Sequence, residues 1–351
     1  MSIGGQPRIR LANLPTPLTE ARRLRDALGG HTRCPRILIK RDDLTGGLAF
    51  GGNKVRKLEF LVADAQRRGA TVLVTSGALQ SNHARATAAA AAVAGMGASL
   101  ILTGEQPATG VQGNLLLDDL LGAEVHRVAA GPDRSAATGD DAEVVARVMA
   151  DLERRGERPY RIPVGGSNAI GTLGYVAGTL EIVGPLFDLG ERPTRLYYAN
   201  GSRGTQAGLA LGAKLYGAPY LSYGIAVSGG EPEKSARAVA IANEAAGILA
   251  TTIRVSPDDL RGDDDQIGAG YGIPTAAGLE AIRLLATTEA ILLDPVYTSK
   301  AMAGLIAQVR RGAIAPTETV VFLHTGGTPA LFAHADTLVA ASAGSPRGEA
   351  E

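Results

Sequence analysis

The chain has 351 residues, room for two lobes, because domains cluster at about 100–200 residues each. Lys plus Arg and Asp plus Glu number 35 each, so no net field exists to attract nucleic acid or anionic lipid, and both are excluded as expected partners. Hydrophobic residues at 45% and charged residues at 20% describe a folded globular protein, and the single cysteine, Cys34, rules out an internal disulfide.

The first residues, "MSIGGQPRIRLANLPTPLTEA", lack the apolar run of a signal peptide, so a cytoplasmic protein is expected. Cys34, in "HTRCPRILIK", has no second thiol nearby and reads as a small buried filler. Next, "GGNKVRKLEF" sets Lys54 directly behind two glycines and an asparagine. From Lys57 onward, "KLEFLVADAQRRG" has helical apolar spacing and stops at Gly69, after which "TVLVTSG" reads as a strand. The alternation continues through helical "QSNHARATAAAAAVAG", strand-like "ASLILTG", helical "GNLLLDDLLG", strand-like "AEVHRV", helical "AEVVARVMADLERRG" and strand-like "YRIPVGG". Alanine dominates the most apolar stretch, and Gly95 and Gly97 break it, so it reads as helix, turn and strand and not as a membrane span.

A second series starts at "RLYYAN". It runs through a helix from Thr205, a strand in "LSYGIAV", helices in "PEKSARAVAIANEAAG" and "AAGLEAIRLLATT", and a final strand "TVVFLHTGG". Two α/β units follow, each a mainly parallel sheet with helices on both faces. The change between lobes is expected near residues 163–174, where glycines cluster after a strand, and the tail "ASAGSPRGEAE" reads as disordered.

Glycines between a strand and a helix free backbone N–H groups to converge on an anion, as in "YYANGSRGTQAGLALG". Gly201, Gly204 and Gly208 form GxxGxxxG, not the dinucleotide fingerprint. After Gly47 and Gly52 comes Asn53, and Val55 stands where a phosphate-binding loop needs Ser or Thr for magnesium. The nearest approach to a serine-hydrolase elbow, "GGSNA", ends in Ala169. His31, His83, His126, His324 and His334 show no metal-site spacing, and most read as structural or surface residues; no metal is expected.

A phosphate cradle without nucleotide signals, together with a lysine in a glycine-rich turn, suits pyridoxal phosphate. That cofactor needs an amine for its aldehyde, backbone donors for its phosphate, and it withdraws electrons from a carbanion. A solvated lysine is the plain alternative for Lys54. For Ser81 and Asn82 it is a helix N-cap, and for Tyr271 and Tyr297 a core position.

Six segments, "RDDLTGGLAFGGNKVRKLEF", "TSGALQSNHARATAAAAA", "GGSNAIGTLGY", "NGSRGTQAGLALG", "LLDPVYTSKAMAGL" and "LHTGGTPAL", together resemble the D-cysteine desulfhydrase and 1-aminocyclopropane-1-carboxylate deaminase family from about residue 10 to about 335. The resemblance implies pyridoxal-phosphate fold type II, similar to the tryptophan synthase β subunit. Its larger cofactor-binding domain would comprise 1–56 plus 166–351, its smaller one 57–165, and the active site would lie in the cleft between them. It implies a homodimer.

The same resemblance makes Lys54 the Schiff-base lysine and proton carrier, and Lys57 a phosphate contact. Ser81 would stand near the substrate, Asn82 on the ring hydroxyl, Gly201, Ser202, Arg203, Gly204 and Thr205 in the phosphate loop, and Thr325 beside the pyridine nitrogen. Tyr271 and Tyr297 would be the catalytic tyrosines. Arg203 departs from the family's small residue, and either points outward or adds charge near the phosphate. Thr298 and Thr325 stand where the deaminase branch has glutamate and leucine, so the resemblance implies β-elimination from a small amino acid, D-cysteine first. L-cysteate sulfite elimination and 1-aminocyclopropane-1-carboxylate deamination are the alternatives within the family. A non-catalytic two-lobed binding protein and a nicotinamide-dependent oxidoreductase remain as alternatives outside it.

Overall fold

The computed structural model describes residues 2–104, 110–129, 142–230 and 232–343. In chain order its elements begin with β1 (Leu18–Glu20), α1 (Arg22–Ala27), β2 (Arg36–Lys40), α2 (Asn53–Arg67), β3 (Val72–Ala78), α3 (Asn82–Ala94) and β4 (Gly97–Thr103). They continue with α4 (Asn114–Leu120), β5 (Glu124–Val128), α5 (Ala142–Arg154), β6 (Pro159–Arg161), α6 (Ala169–Asp188), β7 (Arg195–Asn200), α7 (Gly204–Tyr216) and β8 (Leu221–Ala226). The last are α8 (Glu233–Ile248), β9 (Arg261–Asp263), α9 (Ala276–Glu289), α10 (Thr298–Arg310), β10 (Thr319–Leu323), α11 (Ala330–Ala333) and α12 (Ala335–Ala343). The first residues of the tail expected to be disordered end α12, and the rest, from 344, lies outside the described residues.

The larger sheet has the order β1-β2-β10-β7-β8-β9 and the smaller β5-β4-β3-β6. Among the described strands only β1 runs antiparallel. The expected mainly parallel α/β class is therefore observed, and the side-chain period of two explains its layers. Ile37, Ile39, Tyr197, Val320 and Phe322 pack to one face with residues of α1, α9 and α10. Leu38, Leu196, Tyr198, Val321 and Leu323 turn to the other, against α6 and α7. In the smaller sheet Leu73, Leu100 and Leu102 meet α2 and α3, whereas Val72, Val74 and Ile101 meet α5. Cys34 is fully buried in the first of these cores, as expected, and burial pushes its thiol up to about 11.

Helix α6 was not foreseen. The glycines of residues 163–174 read as the change between lobes, yet the helix runs unbroken through Gly171 and Gly174 for 20 residues. The reason is close packing: a Cβ at Gly174 would lie 2.4 Å from the Arg56 carbonyl oxygen, and one at Gly208 would lie 2.6 Å from that of Thr172. Glycine here lets α6 sit backbone to backbone between α2 and α7. Among the described residues α6 alone is long and apolar enough to cross a membrane, but 56% of that window is buried within the protein.

A second difference concerns α2, which begins at Asn53, four residues before the expected start. Lys54 consequently sits in the first turn of a helix and not in the loop before it. Gly52, at φ +105°, is the last residue of that loop.

Candidate active site

The carboxyl ends of β3, β7 and β10 point to one cavity of about 300 Å³, the usual place for a ligand in a parallel α/β sheet. It is lined by Lys54 from α2, Ser81 and Asn82 from the start of α3, and Tyr271, Tyr297 and Thr325 from the loops beyond. Gly201, Ser202, Arg203 and Thr205 line its other wall. Two of the expected residues stand just outside. Lys57 lies behind the wall, and Gly204 donates its N–H to Ser167 Oγ at 3.2 Å.

The loop before α2 presses onto the strand end that carries Thr325. A Cβ on Gly52 would meet the Thr325 carbonyl oxygen at 3.1 Å, so the segment needs both the missing side chain and the positive φ. Asn53 then joins three segments: its N–H donates to Thr325 O at 3.0 Å, its Nδ2 to Thr205 Oγ1 at 3.2 Å, and its Oδ1 accepts from Lys54 Nζ at 3.3 Å.

Lys54 and Lys57 are one turn apart on the same helix face. Lys57 Nζ donates to Gly165 O at 3.1 Å and Ser167 Oγ at 3.4 Å. Burial holds the Lys54 amine down to about 8; Arg85 adds to the shift and Asp294 opposes it. Lys57 is pushed well below the ordinary lysine range by burial, then by Lys54 and Arg237.

Ser81 caps α3 by accepting the Ala84 N–H at 3.1 Å, so the N-cap reading and the cavity position are both realised. Tyr271 and Tyr297 share a short hydroxyl–hydroxyl hydrogen bond, with their rings edge to face at 5.9 Å. Burial raises both phenols, so each enters the site as a proton carrier and not as a phenolate. Asp294 holds the turn that presents Tyr297, accepting from the N–H groups of Val296 and Tyr297 at 2.9 Å each. Thr298 is spent on the same turn: its hydroxyl donates to Asp294 Oδ1 at 2.7 Å, away from the cavity lining.

Arg203 does not point outward. It is 5% exposed, lines the cavity at φ +70°, and donates to Gln206 Oε1 at 3.1 Å. His83 also departs from the general reading of the histidines. It is buried on the cavity wall, with Nε2 sharing a 3.0 Å hydrogen bond with Thr75 Oγ1. Burial, then Lys54 and Lys57, push its pKa well below the ordinary value, so it is neutral.

Sequence reasoning missed Asn200, Ser228, Lys234 and Arg237, all of which line the cavity. Lys234 and Arg237 form a further i, i+3 pair, on α8, but that spacing alone does not say which face turns inward.

Among the described residues no carboxylate lines the cavity, while Lys54, Arg203, Lys234 and Arg237 do. Such a site suits a strongly anionic ligand. The N–H groups of the first turn of α7 have no acceptors within their own helix and follow the loop from Gly201 to Arg203 that lines the cavity. Asn200, 2% exposed, has no partner among the described residues for either Oδ1 or Nδ2. A phosphate at the loop and a ring beside Lys54 fit this orphaned amide, the cationic lining and the lysine together.

Comparison with known proteins agrees. Residues 9–326 match the family described as "Pyridoxal-phosphate dependent enzyme". D-cysteine desulfhydrases of Salmonella typhi and Salmonella choleraesuis are each 43% identical over 332 residues, covering 93% of this chain and 96% of theirs. A crystal structure described as an ACC deaminase homologue superposes with a TM-score of 0.84 at 35% identity, over 97% of both chains. An L-serine ammonia-lyase from Rhizomucor miehei shares the fold at a TM-score of 0.64 and 19% identity, over 94% of this chain and 98% of that one. These matches remove the non-catalytic binding protein and the nicotinamide enzyme from consideration. By sequence, fold and the chemistry of its cavity, the chain belongs to the pyridoxal-phosphate dependent enzyme family.

Proposed function

We propose that the protein is a pyridoxal-phosphate lyase that removes the β-substituent of D-cysteine and, with hydrolysis of the remaining aminoacrylate by one water, gives pyruvate, hydrogen sulfide and ammonia. The observation that carries this reading is Lys54, a half-buried amine with a pKa near 8, in a cavity that no carboxylate lines among the described residues and tied through Asn53 to the phosphate loop. Similarity to D-cysteine desulfhydrases over nearly the whole chain supports the choice of substrate. When bound, the cofactor supplies the aldehyde that takes the substrate amine and the ring that withdraws electrons from Cα.

The protein's own groups do the rest. Lys54 Nζ takes the Cα proton, for which a pKa near neutrality is suited. The α3 N-terminus with Ser81 receives the substrate carboxylate. Asn82 would hold the ring hydroxyl. Gly201, Ser202, Arg203, Gly204 and Thr205 would hold the phosphate, with Lys57 behind them. Thr325 would offer the pyridine nitrogen a neutral hydroxyl in place of a carboxylate, which would favour prompt elimination. The Tyr271 and Tyr297 pair passes a proton to the departing sulfur. We further infer two lobes, 1–56 with 166–351 and 57–165, in a cytoplasmic homodimer.

Deamination of 1-aminocyclopropane-1-carboxylate is a second reading, favoured by the TM-score of 0.84 to the ACC deaminase homologue. One experiment separates the readings: kcat/KM for D-cysteine, L-cysteine, L-cysteate and 1-aminocyclopropane-1-carboxylate on one preparation, with keto acid detected in each case. D-cysteine is expected to lead. A lead for the cyclopropane replaces the first reading by the second, and a lead for L-cysteate moves the leaving group from thiol to sulfonate.

A further inference from the structure

Asn82 can be satisfied with its carboxamide either way round, because its oxygen accepts and its nitrogen donates from nearly the same place. Which side faces the cofactor decides whether the ring oxygen meets an N–H or a repelling lone pair. The neighbours of Asn82 remove the choice.

Arg85, 1% exposed on α3, has only donors. Its Nε donates to Asn114 Oδ1 at 3.2 Å. The Gln80 carbonyl oxygen can only accept, and it takes Asn114 Nδ2 at 3.0 Å. Asn114, fully buried at the start of α4, is therefore fixed with its oxygen toward Arg85 and its nitrogen toward Gln80. The second Nδ2 proton goes to Asn82 Oδ1 at 2.9 Å. The Asn82 oxygen is thereby occupied, and only its NH₂ is left for the cavity. The same guanidinium donates through Nη1 to Gly51 O at 3.0 Å, and also to Ala49 O, in the loop that leads into Lys54.

We propose that Arg85 and Asn114 are positioning residues: they lock Asn82 with its N–H side toward the cofactor's ring oxygen and hold the Lys54 loop in register with it. The proposal rests on the reading of Asn82 and Lys54 as cofactor contacts. A donor toward the ring oxygen stabilises its anionic form, so the lock also sets the pH at which the bound cofactor titrates.

The test is Asn114→Asp, nearly isosteric but with no proton to give at neutral pH. Asn82 must then turn its NH₂ to the carboxylate and its oxygen to the ring. Apoenzyme titrated with pyridoxal phosphate is expected to show a dissociation constant about tenfold higher, and the pH midpoint of the bound cofactor's visible absorbance is expected to rise by about one unit. Asn114→Leu, which frees Asn82 without reversing it, should give about a threefold loss, and carries the test if the aspartate variant does not fold. In an Asn82→Leu background Asn114→Asp should add nothing further, because its route is gone. A folded Asn114→Asp protein with wild-type affinity and midpoint overturns the proposal, and so do losses that add in the Asn82→Leu background. Failure of the underlying reading is seen separately, before any variant: a wild-type chain that takes up no cofactor.

Discussion

Helix α2 buries cations on two sides, and the sides are treated in opposite ways. Arg56 is 1% exposed and fully answered: Nε and Nη2 donate to Asp42 at 2.7 Å each, Nη1 and Nη2 donate to Glu181 at 2.8 and 3.0 Å, and Tyr175 donates to Asp42 at 2.6 Å. Lys54 lines the cavity and Lys57 lies behind its wall, and among the described residues neither has a carboxylate within hydrogen-bond reach. Against the cost of burial, Asp42 and Glu181 raise the Arg56 pKa, whereas burial lowers both lysines. A buried charge with its counter-charge in place is part of the fold. Those without one await a partner from outside, and here the partner is an anionic cofactor.

The largest expected effect tests the uncompensated side. Lys54→Ala should lower turnover by at least about 10³-fold and remove the visible absorbance of the bound cofactor. A variant that keeps both would make Lys54 an ordinary buried cation and erase the distinction.

Asp42→Asn tests the compensated side. Removing one partner of a buried ion pair costs about 3–5 kcal/mol, which urea unfolding would register as a lower midpoint, while the fraction that remains folded should keep its absorbance and substrate KM. Lost cofactor binding at unchanged stability would instead place Asp42 with the site.

How much of this contrast was legible beforehand differs between the two sides. The lysine face announced itself, because "GGNK" and the spacing of Lys54 and Lys57 are local. The arginine latch did not, because Arg56 meets Asp42 from 14 residues away and Glu181 from 125. The α/β alternation was readable where β-branched runs end in glycine, as in "TVLVTSG". It was lost at α6, whose glycines serve contact with α2 and α7 and not a turn. Strand β2, buried on both faces, offers no alternation to read. Ten of the 22 cavity residues, Lys54, Ser81 and Thr325 among them, were foreseen through their motifs, whereas Asn200, Lys234 and Arg237 depend on which way a strand end and a helix face turn. Asn114 orients Asn82 across 32 residues, a relation no local pattern encodes.

A smaller effect is expected from pH. The Lys54 pKa is lowered to about 8 in the fold, against about 10.4 in an unfolded chain. The neutral amine is the form that attacks an aldehyde. Capture of pyridoxal phosphate by apoenzyme should therefore quicken with pH and level off above a midpoint near 8. Between about 8 and 10.4 the unfolded chain binds more protons, so apoenzyme stability should rise with pH across that window and be lower below it. Lys54→Met should abolish capture and make the stability trend shallower, leaving the part that Lys57 contributes. A capture midpoint near 10 would mean that the amine is solvated and the cavity side is compensated after all.

Arg203 is the intermediate case and carries the smallest expected effect. It is buried like Arg56 and lines the cavity like Lys54. Burial lowers its pKa and Tyr198 opposes the shift, while Nη1 donates to the neutral Gln206 amide. Its backbone at φ +70° costs an L residue about 1–2 kcal/mol relative to glycine. Arg203→Gly relieves that strain and removes the packed side chain, two opposing changes that should leave stability within about 1 kcal/mol. It also takes one positive charge from the phosphate end of the cavity. Cofactor affinity should then fall about threefold, with the KM for D-cysteine unchanged. The reverse pattern, an altered KM at constant cofactor affinity, would put the guanidinium at the substrate end, where it would favour an anionic leaving group such as sulfonate over thiol.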